Sequence, residues 1–214
     1  MLFRSIYKST FELGAFALLS IGLIALFHWM TKDKIEAEMQ AKLARTLGEL
    51  VSPSEYDNDV YHDCIVFDSK GLLHASEPTR FYRMTKNNKP VAAIFTVTTP
   101  KGYNGDIQLI MGIYANQKIA GVRTIQHNET PGLGDKIDLE KSNWITQFTG
   151  LSLDNTPEDQ WKVKKDGGQF DAFTGATITP RAVLNAIKNG LEFFKQHQNE
   201  LFNKPNKCGA IDEH

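Results

Sequence analysis

An apolar run lies close to the N-terminus of the chain, from Phe11 to Met30 (FELGAFALLSIGLIALFHWM). At about 1.5 Å per residue, a helix of this length spans the roughly 30 Å hydrocarbon core of a bilayer. Its strongly polar members, Glu12 and His28, lie within a turn of its ends, and the run lacks the polar face of a soluble amphipathic helix. A cleaved signal peptide would end in small residues, whereas this run ends in Phe-His-Trp. The run therefore predicts an uncleaved transmembrane anchor over residues 11–30.

Basic residues beside the run predict its orientation. Arg4, Lys8 and the terminal amine precede it, while Lys32 and Lys34 follow it together with acidic neighbours. Positively charged flanks favour the cytoplasmic side of a membrane. We therefore expect residues 1–10 in the cytoplasm and the domain that follows the anchor on the outer side.

The chain that follows the anchor is long enough for one ordinary domain, or for one with a small appendage. The whole chain has 214 residues, of which 41% are hydrophobic and 23% charged, and its formal net charge is −1. Because no large basic block is present, a nucleic-acid partner is disfavoured. The two cysteines, Cys64 and Cys208, are too few for a four-thiolate metal site. They either form a disulfide, if the domain lies in an oxidising compartment, or remain two unrelated thiols. No metal site is expected.

Short β-type runs joined by turn residues make up the middle of the chain. They are HDCIVFDS, PVAAIFTVTTP, DIQLIMGIY and KIAGVRTIQH, and NQ separates the last two as in a hairpin. Adjacent runs with tight turns favour an antiparallel meander over parallel crossover units. A helical patch, SNWITQF, and a further predicted strand, QWKVKKDGG, follow. The final helix is amphipathic, with one face formed by Leu184, Ile187, Leu191 and Phe194.

These patterns predict an α+β fold with a largely antiparallel sheet and flanking helices. Apolar residues at every fourth position, from Ile35 through Met39 and Leu43 to Leu47, predict an amphipathic helix that leads into the domain. The expected segments are a cytoplasmic N-terminus (1–10), the anchor (11–30), the connecting helix (31–52), the extracytoplasmic domain (53–206) and a tail (207–214).

The stretch DAFTGATITPRAV, residues 171–183, places very small residues just ahead of the last helix. Thr179 and Pro180 predict the helix start, with threonine at the N-cap and proline at the first helical position. The Gly-Ala pair at 175–176 leaves the backbone and the Thr177 hydroxyl open to close approach. The positive end of a helix favours an anion such as phosphate. From these residues alone, the stretch is either an ordinary turn and cap or a phosphate site.

DAFTGATITP resembles the D-x-x-[ST]-G-A-T-x-[ST] signature of a known FMN-binding domain. That domain is shared by the G subunit of Rnf/Rsx membrane electron transport complexes and the C subunit of the sodium-pumping NADH:quinone reductases. The segments HNETPGLGDKI and KVKKDGG and the single N-terminal span occur in the expected order, so the resemblance covers essentially the whole chain and is greatest to the Rnf G subunits. It implies that Thr177 carries FMN through a phosphoester bond. A separate flavin transferase would attach it, using FAD and a divalent metal and releasing AMP.

The resemblance also implies a set of noncovalent flavin contacts. Glu129 would accept hydrogen bonds from the ribityl chain, Leu133 would pack on the ring, and Lys165 would pair with the flavin or its phosphate. The full set is Glu129, Thr130, Leu133, Gly134, Trp144, Lys165, Asp171, Thr174, Gly175 and Ala176. Without the resemblance, HNETPGLGD is either a connecting loop or a tight turn that covers a ring or cradles a phosphate. We assign no ligand role to His127 or Asp135.

The function implied is that of a membrane-anchored flavoprotein that relays electrons in an Rnf-type complex of the bacterial inner membrane. Such a complex couples ferredoxin and NAD redox chemistry to ion translocation, or keeps a redox-sensing regulator reduced. The implied partners are the other subunits and the flavin transferase, the domain is expected in the periplasm, and no catalytic residue is expected. Two alternatives stay open: a non-redox extracytoplasmic docking or assembly module, and a hydrolase using Thr177, for which the sequence identifies no base.

Overall fold

The computed structural model describes residues 2–68, 71–74 and 78–208. The chain divides into two compact units, Met1–Arg45 and Thr46–His214. A single helix, α1 (Leu2–Leu50), forms nearly all of the first unit and ends within the second. No proline interrupts α1, and the first proline of the chain, Pro53, follows its end.

Within α1, the segment Leu13–Lys32 is long and apolar enough to cross a membrane, the one such segment in the part of the chain that the structure describes. All of its side chains are exposed. It lies two residues later than the predicted anchor. The connecting helix predicted to follow it is continuous with it in α1. The side chains of Ile35, Met39 and Leu43, on which that prediction rests, lie outside the described part, as do residues 209–214 of the predicted tail.

A five-stranded antiparallel sheet forms the centre of the second unit, and its strands follow one another in chain order. The strands are β1 (Cys64–Phe67), β2 (Thr79–Lys86), β3 (Lys89–Gly102), β4 (Gly105–Tyr114) and β5 (Ile119–Gln126). Short turns whose residues adopt positive φ join β2 to β3 and β4 to β5, as hairpins require. The predicted α+β fold with an antiparallel meander is confirmed.

Strand β2 is absent from the sequence-based prediction because charged residues interrupt its apolar pattern. Phe81 and Met84 are fully buried, yet Arg83 between them is also buried. The Arg83 guanidinium pairs with Asp63 and donates a hydrogen bond of 2.6 Å to the Lys204 carbonyl. These partners satisfy the buried charge, and they lie too far away in sequence for a local pattern to reveal them.

The strand predicted for QWKVKKDGG is wrong. Residues 160–168 contain the end of one short 3₁₀ turn, Glu158–Gln160, and the whole of a second, Lys164–Asp166. Val163 makes only an isolated β-bridge with Phe170, and Gly167 reverses the chain with φ 86°. Trp161 and Val163 are buried, which produces the alternation that resembles a strand. The helical patch SNWITQF is a 3₁₀ helix, Asn143–Phe148.

The final helix, α2 (Ile178–Asn203), packs against one face of the sheet. Its predicted apolar face is confirmed, because Leu184, Ile187, Leu191 and Phe194 are all buried. The two elements approach closely at Gly190, where an added Cβ would lie 2.3 Å from the sulfur of Met111 on β4.

The opposite face of the sheet is covered by the end of α1. Gly112 on β4 and Gly121 on β5 are paired in register and point away from α2, because neighbouring residues of a strand face opposite sides. A Cβ added to Gly121 would lie 2.9 Å from Leu50, and one added to Gly112 would lie 3.5 Å from it. The glycine pair therefore forms a shallow seat for Leu50, which is buried together with Leu47.

The segment after α2 returns to the first strand. A disulfide joins Cys208 to Cys64 on β1. Beside it, the Lys207 N–H donates to the Cys64 carbonyl (2.9 Å). The Asn206 side chain accepts from the N–H groups of Cys64 (3.3 Å) and Cys208 (3.0 Å). The C-terminal end of the domain is therefore held by backbone contacts as well as by the disulfide.

Candidate functional site

The last helix begins earlier than the sequence predicts. It starts at Ile178 with Thr177 at its N-cap, so the predicted N-cap at Thr179 is wrong. Pro180 is the third helical residue rather than the first, and it is tolerated there because N–H groups of the first turn have no partner within a helix. The Thr177 side chain makes no capping hydrogen bond. Its hydroxyl is therefore not committed to holding the helix end.

A tight turn presents Thr177 from the N-terminal side. The Ala176 N–H donates to the Phe173 carbonyl (3.0 Å), and Gly175 adopts φ 80° at the third position of this four-residue turn. A positive φ at that position is typical of type II turns, in which glycine is favoured. Thr174 and Gly175 are exposed at the tip of the turn, whereas Ala176 and Thr177 are half-buried.

The loop after β5 forms a second turn that reaches the first one. The Leu133 N–H donates to the Thr130 carbonyl (3.1 Å), with Pro131 and Gly132 between them and Gly132 at φ 78°. This is the Pro-Gly arrangement of a type II turn. It places Leu133 against the turn at 173–176, since a Cβ added to Gly175 would lie 3.5 Å from Leu133.

An open pocket of about 260 Å³ lies between these two turns and the β3–β4 hairpin. It brings together Thr177 and part of the set of predicted flavin contacts, namely Glu129, Thr130, Leu133, Gly134, Gly175 and Ala176. The remaining lining residues, which the sequence analysis missed, are Tyr103, Ile178 and Thr179. The sequence signal for Tyr103 is an aromatic residue in the glycine-flanked hairpin tip KGYNG, where it is 67% exposed.

The other predicted contacts, Trp144, Lys165, Asp171 and Thr174, do not line this pocket. Trp144 packs edge-on against Phe173, and its indole N–H donates to the Asp171 carbonyl (2.8 Å), so it supports the turn at 173–176. The Asp171 carboxylate forms a surface ion pair with Lys164 (2.8 Å).

A larger cleft of about 610 Å³ lies between α2 and the 3₁₀ turns at 158–166. Its lining includes two ion pairs, Arg181 with Asp166 (2.6 Å) and Lys188 with Glu158 (2.6 Å). The Arg181 guanidinium donates to both Asp166 oxygens and holds the pKa of that carboxyl below its usual value. Because these charges neutralise one another, the smaller pocket beside Thr177 is the stronger candidate site.

A buried carboxylate organises the wall of the smaller pocket. Glu129 is 4% exposed; its Oε1 accepts the N–H of Asn104 (3.0 Å), and its Oε2 accepts the hydroxyl of Thr179. The expected contact to a ribityl chain would therefore share these oxygens with two donors of the protein. The Glu129 N–H donates to Nδ1 of His127 (3.0 Å), whose Nε2 lies 2.9 Å from Asp138. His127 thus has a structural partner on each ring nitrogen.

These residues fit a nucleotide bound through its phosphate. The N–H groups at the start of α2 and the positive end of its dipole favour an anion beside the Thr177 hydroxyl. Leu133, Tyr103 and Ile178 supply apolar or aromatic surface for a ring. Pockets for drug-sized ligands enclose roughly 300–1,000 Å³, so this pocket covers part of an FMN molecule. Among the described residues, no cluster of three or more potential metal ligands occurs.

Comparisons with known proteins agree with this geometry. Residues 102–192, which contain the whole pocket, match the family model described as the FMN-binding domain, and residues 1–50 match that of the RnfG N-terminal region. The G subunit of the ion-translocating oxidoreductase complex of Pseudoalteromonas atlantica is 44% identical over 203 residues, covering 95% of this chain and 94% of the relative. The G subunits of Shewanella baltica (46% identical; 95% and 96% covered) and of a Vibrio cholerae strain (44%; 95% and 97%) are similarly related. The chain therefore belongs to the family of G subunits of ion-translocating oxidoreductase complexes.

Proposed function

We propose that this protein is a single-pass membrane flavoprotein that carries FMN on Thr177 through a phosphoester bond and relays electrons within a membrane complex. The observation that carries the proposal is the Thr177 hydroxyl, which makes no capping hydrogen bond at the N-terminus of α2. It lies at the edge of a pocket formed in part by the type II turns at 130–133 and 173–176. Membership in this family of G subunits and the match to the FMN-binding domain support the identity of the cofactor.

Attachment is a phosphoryl transfer that a separate flavin transferase carries out with FAD and a divalent metal. The Thr177 oxygen forms a bond to the FMN phosphorus, the pyrophosphate bond breaks, AMP leaves, and the hydroxyl proton is released. The residues of this chain present the hydroxyl and leave it accessible, because Gly175 and Ala176 bring almost no side chain to the approach. Thr177 is then a tether rather than a catalytic residue.

Bound FMN supplies the redox chemistry, and the protein positions the flavin and tunes its electronic properties. In this proposal the donor and the acceptor are other subunits of a complex of the kind named for the relatives. The complex couples ferredoxin and NAD chemistry to ion translocation or to reduction of a redox regulator. The protein has no independent substrate.

The proposed topology places the N-terminus in the cytoplasm, Leu13–Lys32 across the inner membrane, and the domain in the periplasm. Basic residues Arg4 and Lys8 ahead of the span and the Cys64–Cys208 disulfide support this orientation. A covalent tether also suits a compartment in which lost cofactor is not readily replaced. We expect alkaline phosphatase fused to the C-terminus to be active in intact cells. Fluorescence of a green fluorescent protein fused at the same place would contradict the topology.

The test of attachment is the Thr177→Val variant, co-expressed with a flavin transferase. The wild-type protein should gain the mass of one FMN less one water and fluoresce after denaturing electrophoresis, whereas the variant should fold but remain colourless. Thr146→Val is the control, since the exposed Thr146 hydroxyl donates only to its own turn at the Asn143 carbonyl (2.7 Å). A wild-type protein at bare polypeptide mass would favour the non-redox docking module, and flavin retained by Thr177→Val would refute the acceptor assignment.

A further inference from the structure

Thr179 is buried in the wall of the pocket and has no capping role. We infer that Thr179 is a positioning residue for the acceptor hydroxyl of Thr177. Through Glu129, it fixes the first turn of α2 against the two loops that complete the pocket. This inference rests on the proposed attachment of FMN to Thr177.

The first turn of α2 is weakly held by its own hydrogen bonds. The N–H positions up to Pro180, the third helical residue, have no partner within any helix, so proline costs this turn no hydrogen bond. The next donor, the Arg181 N–H, lies 3.5 Å from the Thr177 carbonyl, beyond the usual range of 2.7–3.2 Å for such bonds. The orientation of Thr177 therefore needs a contact from outside the helix.

The Thr179 hydroxyl supplies that contact. Thr179 is fully buried and donates to Oε2 of Glu129, which is itself 4% exposed. Oε1 of the same carboxylate accepts the Asn104 N–H at the tip of the β3–β4 hairpin (3.0 Å). One carboxylate thus joins all three segments that line the pocket: the helix start, the hairpin and the loop at 127–134. Hydrogen bonds to an ionised acceptor are about twice as strong as neutral ones.

The packing around Glu129 is shaped to admit its carboxylate. A Cβ added to Gly134 would lie 2.9 Å from both Glu129 Oε2 and Thr179 Oγ1. A Cβ added to Gly102 would lie 2.8 Å from Glu129 Oε1. Side chains at these two positions would crowd the bridge, so glycine at both keeps it intact.

The main chain of Glu129 is anchored independently of its carboxylate. Its N–H donates to His127, and His127 contacts Asp138 in turn. Loss of the Thr179 hydroxyl would therefore leave the loop in place and release the helix start that carries Thr177. The effect should fall on the rate of FMN attachment more than on folding.

The test compares Thr179→Val, which keeps the branched shape but removes the donor, with Thr179→Ser, which keeps the donor. Purified full-length protein in detergent is incubated with flavin transferase, Mg²⁺ and varied FAD, and protein-bound flavin fluorescence is followed over time. Thr179→Val should lower kcat by about tenfold or more, the order expected for one charge-assisted hydrogen bond, with KM for FAD unchanged. Thr179→Ser should recover most of the rate.

A matched control is Thr156→Val. Thr156 is 3% exposed and donates to the Asn155 side chain (3.0 Å), outside the pocket lining, so the same chemical change should leave the attachment rate unaltered. A second comparison covers the case in which Thr179→Val folds poorly. Glu129→Gln removes the charge of the bridge at nearly constant size and should also slow attachment, and an unchanged kcat in this variant would overturn the inference.

Wild-type attachment separates the two proposals. If the wild-type protein takes up no flavin on Thr177, the proposed function fails and this inference fails with it. If the wild-type protein is modified and Thr179→Val reacts at the same kcat, the positioning role alone is overturned. A loss that Thr179→Ser does not recover would also overturn it, because shape rather than the hydroxyl would then matter.

Discussion

Reduction of the Cys64–Cys208 disulfide should lower the free energy of unfolding substantially. The disulfide closes a loop with a sequence separation of 144 residues. In the chain-entropy treatment, opening a loop of that length costs about 5 kcal/mol at 25 °C, and disulfides typically contribute 2–4 kcal/mol. We therefore expect a loss of about 2–5 kcal/mol. The native C-terminal segment should stay in place after reduction, because Lys207 and Asn206 still bond to the backbone of residue 64.

The assay is urea unfolding of the full-length protein in mild detergent, followed by near-ultraviolet circular dichroism, with and without dithiothreitol. The control is the double variant Cys64→Ala/Cys208→Ala. Its urea midpoint should lie near that of the reduced wild-type protein and should not change when dithiothreitol is added. Flavin attachment should persist in both reduced and double-variant proteins, since the pocket lies elsewhere. Equal midpoints for oxidised and fully reduced wild-type protein, with thiol labelling to verify the reduction, would refute the reasoning.

Three further changes test other parts of the structure. Gly134→Ala places a Cβ 2.9 Å from the Thr179 hydroxyl and should slow FMN attachment, measured as bound fluorescence. Gly190→Ala should lower the urea midpoint, because overpacking against the sheet costs about 1–3 kcal/mol. The higher helix propensity of alanine offsets only about 1 kcal/mol of that cost. Arg181 lowers the pKa of Asp166 below 3.8, so the pair stabilises at neutral pH and is lost as pH falls through that lower value. The difference in melting temperature between wild type and Asp166→Asn should accordingly close in acid.

The features that the sequence predicts correctly are those governed by local periodicity. The apolar face of α2 recurs every three or four residues, and the apolar runs on either side of the Asn-Gln turn form β4 and β5. These signals depend on neighbours within one element. They therefore predict the α+β class and the order of most elements without any knowledge of the tertiary contacts.

The errors arise where a distant partner determines the local structure. Thr179 has the sequence context of an N-cap, but its hydroxyl is bonded to Glu129, 50 residues earlier in the chain. Arg83 interrupts the apolar pattern of β2 and so hides the strand from a sequence-based prediction. It can be buried there because its charge is satisfied by Asp63 and the Lys204 carbonyl. Tyr103 lines the pocket from a hairpin tip that is hydrogen-bonded to Glu129, about 25 residues later in the chain. These pairings cannot be predicted from the composition of the chain or from the spacing of its residues.

The seat formed by Gly112 and Gly121 determines where the protein can be shortened. Leu47 and Leu50 belong to the folded unit that begins at Thr46, although they lie on the helix that also contains the apolar span. A water-soluble fragment cut at residue 53 would lack these leucines and uncover apolar sheet surface prone to self-association. Fragments intended for crystallisation or spectroscopy should retain the last turn of that helix.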